Sequence, residues 1–281
     1  MKTFSIKPST NEKRLFISCP VCGGSDFKDH WDCGEYSFVQ CRMCRLVLQN
    51  PQPVFEHLDN RYDEDYFKYE QKNEQLFFQL MLKSLSDIGF ETKPEDPLIG
   101  QSFLDIGCAT GALVEYMKNE GWDSKGVELC EPAADFGSKT RNIDIFSGTV
   151  EQAFYDDNQF DVIHCSHLIE HLNNPALYLD EVVRILKPGG LFLCTTPNSD
   201  GFQAKIFCSK WRSAIADHMF LFSRKNLQRL LKSRSFSIEK VRTWGGLGQG
   251  YGPQWFKKIL DRAAKKLSFG DVMIISARKK E

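Results

Sequence analysis

The sequence predicts an α/β fold: alternating strands and helices around a nucleotide-binding sheet, with a small cysteine-knuckle module ahead of it. Three observations carry this. Residues 103–111, Phe-Leu-Asp-Ile-Gly-Cys-Ala-Thr-Gly, form an apolar run ending in Gly107 and Gly111, and the amphipathic run 112–117 follows at once. Strand, glycine turn and helix in that order open a nucleotide-binding sheet. From residue 160 onward, strand-like and helix-like runs alternate, the pattern of parallel strands joined by crossover helices. Ahead of both stand two Cys-x-x-Cys pairs, Cys19/Cys22 and Cys41/Cys44.

The cysteine pairs come first in the chain. They lie 18 residues apart, and Gly23-Gly24 follow the first pair. Two knuckles at this distance form a tetrahedral four-thiolate zinc site, a zinc ribbon, with a short hairpin in the interval. A site with four protein ligands is closed, so zinc held by Cys19, Cys22, Cys41 and Cys44 is structural; it can contribute on the order of 10 kcal/mol to folding a unit this small. The competing reading is a metal-free ribbon held by Trp31, Tyr36 and Phe38. His30 and Cys33 are bystanders in either case.

The ribbon module spans 14–50, and Asn50-Pro51-Gln52-Pro53 reads as an extended linker. Residues 51–98 form that linker and a helical arm, with Leu76, Phe77, Leu80 and Met81 at helical spacing within 74–88. The aromatic and acidic segment 61–69 is either a lid over a pocket or a surface that docks the arm through Tyr62, Tyr66 and Phe67. The main domain spans 99–281. Its strand-like runs after the glycine turn are 122–128, 160–166, 191–196, 236–244 and 271–278. Asn174 and Pro175 provide an N-cap and a first-turn proline for a helix reaching Lys187, and Pro188-Gly189-Gly190 stops it. A further helix covers 227–232.

The glycine turn chooses among ligands. A dinucleotide turn is G-x-G-x-x-G, whose middle glycine admits a pyrophosphate. Here Ala109 stands at that place, and Asp105 would set an anion against the phosphates. A cationic sulfonium with an amino-acid tail tolerates that carboxylate, which can bind its ammonium. Glu128 ends the next strand-like run, 21 residues after Gly107, where an acid can hold two ribose hydroxyls. S-adenosylmethionine (SAM) therefore fits better than NAD.

The chain then resembles the class I SAM-dependent methyltransferases over residues 99–281. The segments carrying the resemblance are FLDIGCATG (103–111), KGVEL (125–129), SGTVEQ (147–152), FDVIHCSHLIEHL (160–172), VVRILKPGGLFLCTTPN (182–198) and DHMFLFS (217–223). The resemblance implies a Rossmann-like, mostly parallel sheet whose last strand inserts antiparallel between its two predecessors. It implies that Asp105, Gly107 and Gly111 line the methionine end and the turn. Glu128 would hold the ribose with Leu129 against the adenine, Thr149 and Val150 would lie at the adenine edge, and Cys165 and Ser166 would border the cofactor. Ala109 is the departure from the family's turn.

His167-Leu-Ile-Glu170-His171 also spells the inverted zinc-protease motif, which needs both histidines on a helix. Following a strand-like run in this frame, the string is better read as a loop beside the transferable methyl. Ubiquinone-type O-methyltransferases, which this segment resembles, carry E-x-x-E-H there and hold a divalent cation; His167 replaces the first acid. His167 and His171 are candidates for general base or substrate clamp, and His218 falls near the pocket in relatives. The alternative is that Glu170 and His171 only brace the loop. Methyl transfer needs mainly in-line placement, and a base only when the acceptor brings its proton.

The strand is followed by neither Asn-Pro-Pro-Tyr nor a Pro-Cys pair, which disfavours nucleobase methylation. The expected acceptor is a small or glycan-like molecule, lipid-linked glycans included, methylated on O, N or C. Two other readings compete: an RNA methyltransferase using the ribbon for recognition, and a non-catalytic SAM-binding protein. Net charge is −1, and the ribbon's Arg14, Lys28, Arg42 and Arg45 are balanced by Asp26, Asp29, Asp32 and Glu35, so no phosphate track forms. No signal pattern or apolar stretch near ~18 residues is present, and Cys108, Cys165 and Cys194 read as reduced core thiols, so a cytoplasmic location is expected. Residues 255–267 form a basic amphipathic helix that could touch an anionic membrane, or pack on the domain's own sheet. The glycine-rich stretch 245–252 before it reads as a pocket edge.

Overall fold

The computed structural model describes residues 13–54, 62–94, 100–245, 262, 264, 265 and 267–281. The chain begins with β1 (Arg14–Leu15), β2 (Phe27–Asp32), β3 (Ser37–Cys41), β4 (Val47–Gln49), β5 (Gln52–Pro53) and α1 (Glu64–Ile88). Then follow β6 (Ser102–Ile106), α2 (Ala112–Asn119), β7 (Asp123–Glu128), α3 (Glu131–Arg141), β8 (Asp144–Ser147), β9 (Phe160–Ser166), α4 (Pro175–Ile185), β10 (Leu186–Pro197), α5 (Phe202–Phe207), β11 (Phe220–Leu221), α6 (Arg224–Lys232), β12 (Phe236–Trp244) and β13 (Val272–Lys279).

Seven strands form the central sheet in the order β12-β13-β10-β9-β6-β7-β8. The pairs from β10 to β8 are parallel, and β13 runs antiparallel to both neighbours, as the resemblance implied. Strand order reverses between β6 and β9, so the crevice beyond their carboxyl ends is the switch point where open α/β sheets bind ligands.

Alternation along the strands sends side chains to two cores. Ile106, Ile163, Cys165, Phe192 and Ile275 meet Tyr178, Leu179 and Val182 of α4 and Leu227, Leu230 and Leu231 of α6 on one face. Phe103, Val162, Leu193 and Ile274 meet Leu85 and Ile88 of α1 and Leu113 and Met117 of α2 on the other. Each such side chain, fully buried, contributes roughly 1.5–3 kcal/mol of transfer free energy.

Three boundaries differ from the sequence reading. The arm helix starts at Glu64, well before 74, because the Asp63 carboxylate accepts from the N–H groups of Asp65 and Tyr66; it ends at Gly89, with φ +77°. The helix after Asn174 ends at Ile185, not Lys187. Leu186 is already extended and pairs with Phe160, and the ladder shifts register before Leu191. Residues 50–53 are no extended linker. β5 pairs with β1, the Asn50–Pro51 peptide is cis, Asn50 bonds both the N–H and the carbonyl of Ile17, and Gln52 is buried.

A second sheet has the order β11-β4-β3-β2, so a strand from beyond residue 200 completes the cysteine module. Trp211, Ala214 and Leu221 pack with Phe38 and Val47 beneath it, with Trp31 and Tyr36 at the margin. Among the described residues no helix is long and apolar enough to cross a membrane. Most of 255–267 and of 245–252 lies outside the described residues; of that helix, Lys265 pairs with Asp87 of α1 at 2.6 Å.

Candidate active site

The turn after β6 is a chain of left-handed residues: Gly107 at φ +76°, Ala109 at +49° and Gly111 at +76°. The left-handed φ of Gly111 demands glycine, and a Cβ there would also push aside the Cδ1 methyls of Ile143 and Ile145. Gly107 and Cys108 donate their N–H groups to the carbonyl of Val127 at 2.8 and 3.1 Å, locking the turn to β7. Glu128 then braces both turns: one oxygen accepts from Ala109 N–H and the other from Cys130 N–H, each at 2.8 Å. Ala109 is thus held in a conformation that costs an L-residue roughly 1–2 kcal/mol. Burial raises the pKa of Glu128, while these N–H donors pull against it. Two oxygens with spare lone pairs can still receive ribose hydroxyls.

Asp105 is buried, and its Oδ1 accepts from His164 Nδ1 at 2.7 Å. His164 is fully buried and stacked near Phe103, and its Nε2 has no partner among the described residues. This buried hydrogen bond orients the Asp105 carboxylate. The sequence reading assigned His164 no role. The available signal was a histidine inside an apolar central strand, in register with an acid one strand away.

α1 closes the other side of the turn. Glu74 accepts from the Thr110 hydroxyl and pairs with Arg141 at 2.7 Å, and Arg141 also donates to the Thr110 carbonyl and pairs with Glu115. Burial, with Glu128 and Glu74 nearby, raises Glu70 to about 8, so it carries a proton at neutral pH. Burial, with Glu70 and Glu128 nearby, pushes the Tyr66 hydroxyl well above its ordinary value. Phe67 packs on Phe136 of α3 at 5.6 Å, which docks the aromatic segment on the main domain, while Tyr62 and Tyr66 pack on each other at 5.0 Å. Leu129 and Thr149 are half-buried, and Thr149 N–H donates to Gln152. Val150 is buried in the core. Cys165 is too, facing Tyr178, so only its backbone can border a cofactor; Ser166 is half-buried at the end of β9.

A second cluster lies at the carboxyl ends of β9 and β10. His167 has φ +53°, its N–H bonds the Thr195 carbonyl, and its ring is half exposed. His167 Nδ1 donates to Glu170 Oε1 at 3.2 Å, and Thr196 donates to the other oxygen at 2.9 Å. Burial alone would raise Glu170. The hydrogen bond and charge of His167, with His171 and His218 nearby, outweigh it and hold the carboxyl at about 2.

His171 Nδ1 donates to the Asp217 carbonyl at 3.0 Å and His218 Nδ1 to the Ser213 carbonyl at 2.8 Å. Both rings therefore present a bare Nε2. They meet edge to face at 4.6 Å, and burial, then His171, lowers His218 to about 3. Residues 167–171 form a turn, not a helix, which removes the protease reading.

Glu170, His171 and His218 each offer a ligand atom within 4.8 Å of one another. Asp271, fully buried, accepts from Trp211 Nε1 and Arg212 Nε at 2.5 and 2.6 Å on the same edge of the sheet. No local pattern marked those three residues, because their partners are some sixty residues away.

The four knuckle cysteines form one group, all sulfurs lying within 4.8 Å of one another. Cys19 and Cys44 are 3.4 Å apart and Cys22 and Cys41 3.6 Å, near the ~3.8 Å that tetrahedral bonds of ~2.3 Å imply. Burial pushes the Cys19 thiol up, with the N–H groups of Val21 and Cys22 opposing the rise, whereas the N–H groups of Cys44 and Met43 outweigh burial at Cys41 and lower its thiol. Cys33 lies apart, donating to Ser209, and His30 stacks on Trp31.

Comparison with known proteins agrees with this architecture. Residues 37–241 match a family model described as a methyltransferase domain. Ubiquinone biosynthesis O-methyltransferase of Maricaulis maris is 34% identical over 130 residues, 43% of this chain and 51% of that protein. The Klebsiella pneumoniae protein of the same name is 31% identical over 123 residues, 41% and 50%. The chain thus spans about half the length of the curated relatives it matches. Among solved structures, a SAM-dependent methyltransferase of Thermotoga maritima aligns with TM-score 0.56 at 21% identity, covering 76% of this chain and 98% of that one. One of Archaeoglobus fulgidus aligns with TM-score 0.53 at 20% identity, covering 76% and 99%. With its switch-point crevice, glycine turn and antiparallel last strand, the chain belongs to the methyltransferase-domain family and has the class I SAM-dependent fold, fronted by a four-cysteine cluster.

Proposed function

We propose that this protein transfers the methyl group of SAM to an oxygen of a small-molecule acceptor, with His167 as general base. The observation that carries it is the His167–Glu170 pair at the mouth of the switch-point crevice. The Glu170 carboxylate, kept anionic in a buried site, orients the ring so that Nε2 faces outward and steadies the imidazolium formed when the base takes a proton. Thr196 holds the far oxygen of Glu170, which keeps the pair in place. Likeness to ubiquinone biosynthesis O-methyltransferases supports an oxygen acceptor.

The crevice suits SAM. Asp105 would hold its ammonium, Glu128 its ribose, and Gly107 and Gly111 would leave room along the turn, with Leu129, Thr149, Val150, Cys165 and Ser166 around the adenine and methyl ends. When bound, SAM supplies the electrophilic methyl. The chain's part is to hold the acceptor in line and accept its proton, and placement alone can remove ~7–11 kcal/mol of barrier. Cys19, Cys22, Cys41 and Cys44 would hold a structural zinc ion, a reading supported by their spacing and the N–H groups aimed at them.

Incubating the protein with methyl-labelled SAM and fractionated extract should place the label in small molecules. His167→Ala should lower transfer by roughly 10²–10⁴ while SAM affinity stays unchanged. Label in RNA, or no label despite SAM binding, would replace this reading with one of its two competitors. A divalent cation on Glu170, His171 and His218 is a second reading, favoured by the two bare Nε2 atoms beside that carboxylate. In that case a chelator abolishes transfer and added cation restores it.

A further inference from the structure

We propose that Gln49 of the cysteine ribbon is a positioning residue for the acceptor face, so that the ribbon builds one wall of that site. The inference rests on the reading of the histidine cluster as the acceptor side. Residues 211–219 have little regular structure, so their carbonyls need partners from elsewhere. The ribbon supplies them. Gln49 Nε2 donates to the carbonyls of Ala216 and His218 at 2.7 and 2.9 Å, and its backbone N–H donates to that of Met219 at 2.9 Å. Tyr36 donates its hydroxyl to the Ala214 carbonyl at 2.7 Å. β4 then pairs with β11 directly after this segment.

From there the chain of contacts reaches the chemistry. Met219 and Phe220 donate their N–H groups to the Glu170 carbonyl at 2.8 and 3.1 Å, and His171 donates to Asp217 within the same segment. In the other direction, Asn226 in the first turn of α6 donates to the carbonyl of the knuckle residue Cys44 at 2.8 Å. Gln49 is buried, and its Oε1 has no partner among the described residues. Its place is therefore set by its donors. Among the described residues, no hydrogen bond joins Gly107, Ala109 or Glu128 to the ribbon, so the ribbon bears on one end of the crevice only.

The test uses the full-length chain. Gln49→Met keeps the volume and loses the donors; Gln49→Glu sets a carboxylate against two carbonyls; Tyr36→Phe is the mild variant in case neither folds. SAM affinity by calorimetry, hydrogen exchange of 209–221 against 103–111, and the ring ¹⁵N shifts of His171 and His218 are measured for each. The Gln49 variants should keep SAM affinity within about twofold, speed exchange in 209–221 and shift both imidazole signals; transfer from labelled SAM should fall about 10–100-fold, the scale of a small misplacement. Tyr36→Phe should move the same readouts less. Unchanged exchange and imidazole signals, or parallel loss of SAM binding, would overturn the proposal. If the wild type transfers no label, the function reading fails, while exchange and imidazole signals still decide the role of Gln49.

Discussion

The two ends of the switch-point crevice are made of opposite materials. At the glycine turn the side chains are acids: Glu128 is held by backbone N–H groups and Asp105 by one buried histidine, and Glu70 beside them is raised to about 8. At the far end they are imidazoles, His167, His171 and His218, arranged around one carboxylate and two backbone carbonyls. On the proposed reading the first end receives the cationic donor. The second can take a proton.

The sharpest way to break the comparison is at His164. His164→Phe keeps a ring beside Phe103 but strips Asp105 of its donor, leaving a buried carboxylate without its partner. It should lose about 3–5 kcal/mol in urea unfolding and weaken SAM binding. His164→Asn, which keeps a donor near the place of Nδ1, should recover most of both. Equal behaviour of the two variants would show that Asp105 needs no orientation. Next in size is Gly111→Ala, where a Cβ would meet Ile143 and Ile145 at φ +76°; a loss of about 2–4 kcal/mol is expected by the same measurement.

The pH dependence should separate the ends by sign. Glu70 is raised from 4.5 to about 8, so between those values the folded state binds the extra proton and stability falls as pH rises through the window. His218 is lowered from 6.5 to about 3, so there the unfolded state binds the extra proton and stability falls as pH drops. Glu70→Gln should remove the neutral-side decline in Tm, an effect of a few degrees, and leave the acid-side decline in place. Smallest is Ala109→Gly, which should gain about 0.5–1 kcal/mol by relieving the left-handed alanine, partly offset by added freedom in the unfolded chain.

The fold was largely legible because its signals are local. Strand, glycine turn and helix follow one another within 103–119, and Asn174-Pro175 starts α4 where a side-chain cap and a fixed φ require it. The ends were harder. Lys187 extends the helical pattern, yet Leu186 pairs with Phe160, and a ladder bond between distant residues outbids local propensity. Pro51-Gln52-Pro53 reads as a linker because prolines favour extended backbone, and extended backbone is also what β5 needs to pair with β1. The site divides in the same way. Acids at the ends of β6 and β7 were visible from the strands they terminate. His164, Gln49, Trp211, Arg212 and Asp271 were not, because each acts on a residue brought close only by packing.

By itself, then, the sequence determined the α/β class, the glycine turn and the four-cysteine knuckles, since strand–turn–helix order and cysteine spacing are short-range constraints on backbone conformation. Only the tertiary structure decided that the knuckles' sheet is completed by Phe220 and Leu221, and that His167 and Glu170 share a cluster with His218. Hydrogen bonds between residues more than 150 positions apart, such as Gln49 to His218, depend on where two folded surfaces meet, and no local periodicity encodes that meeting.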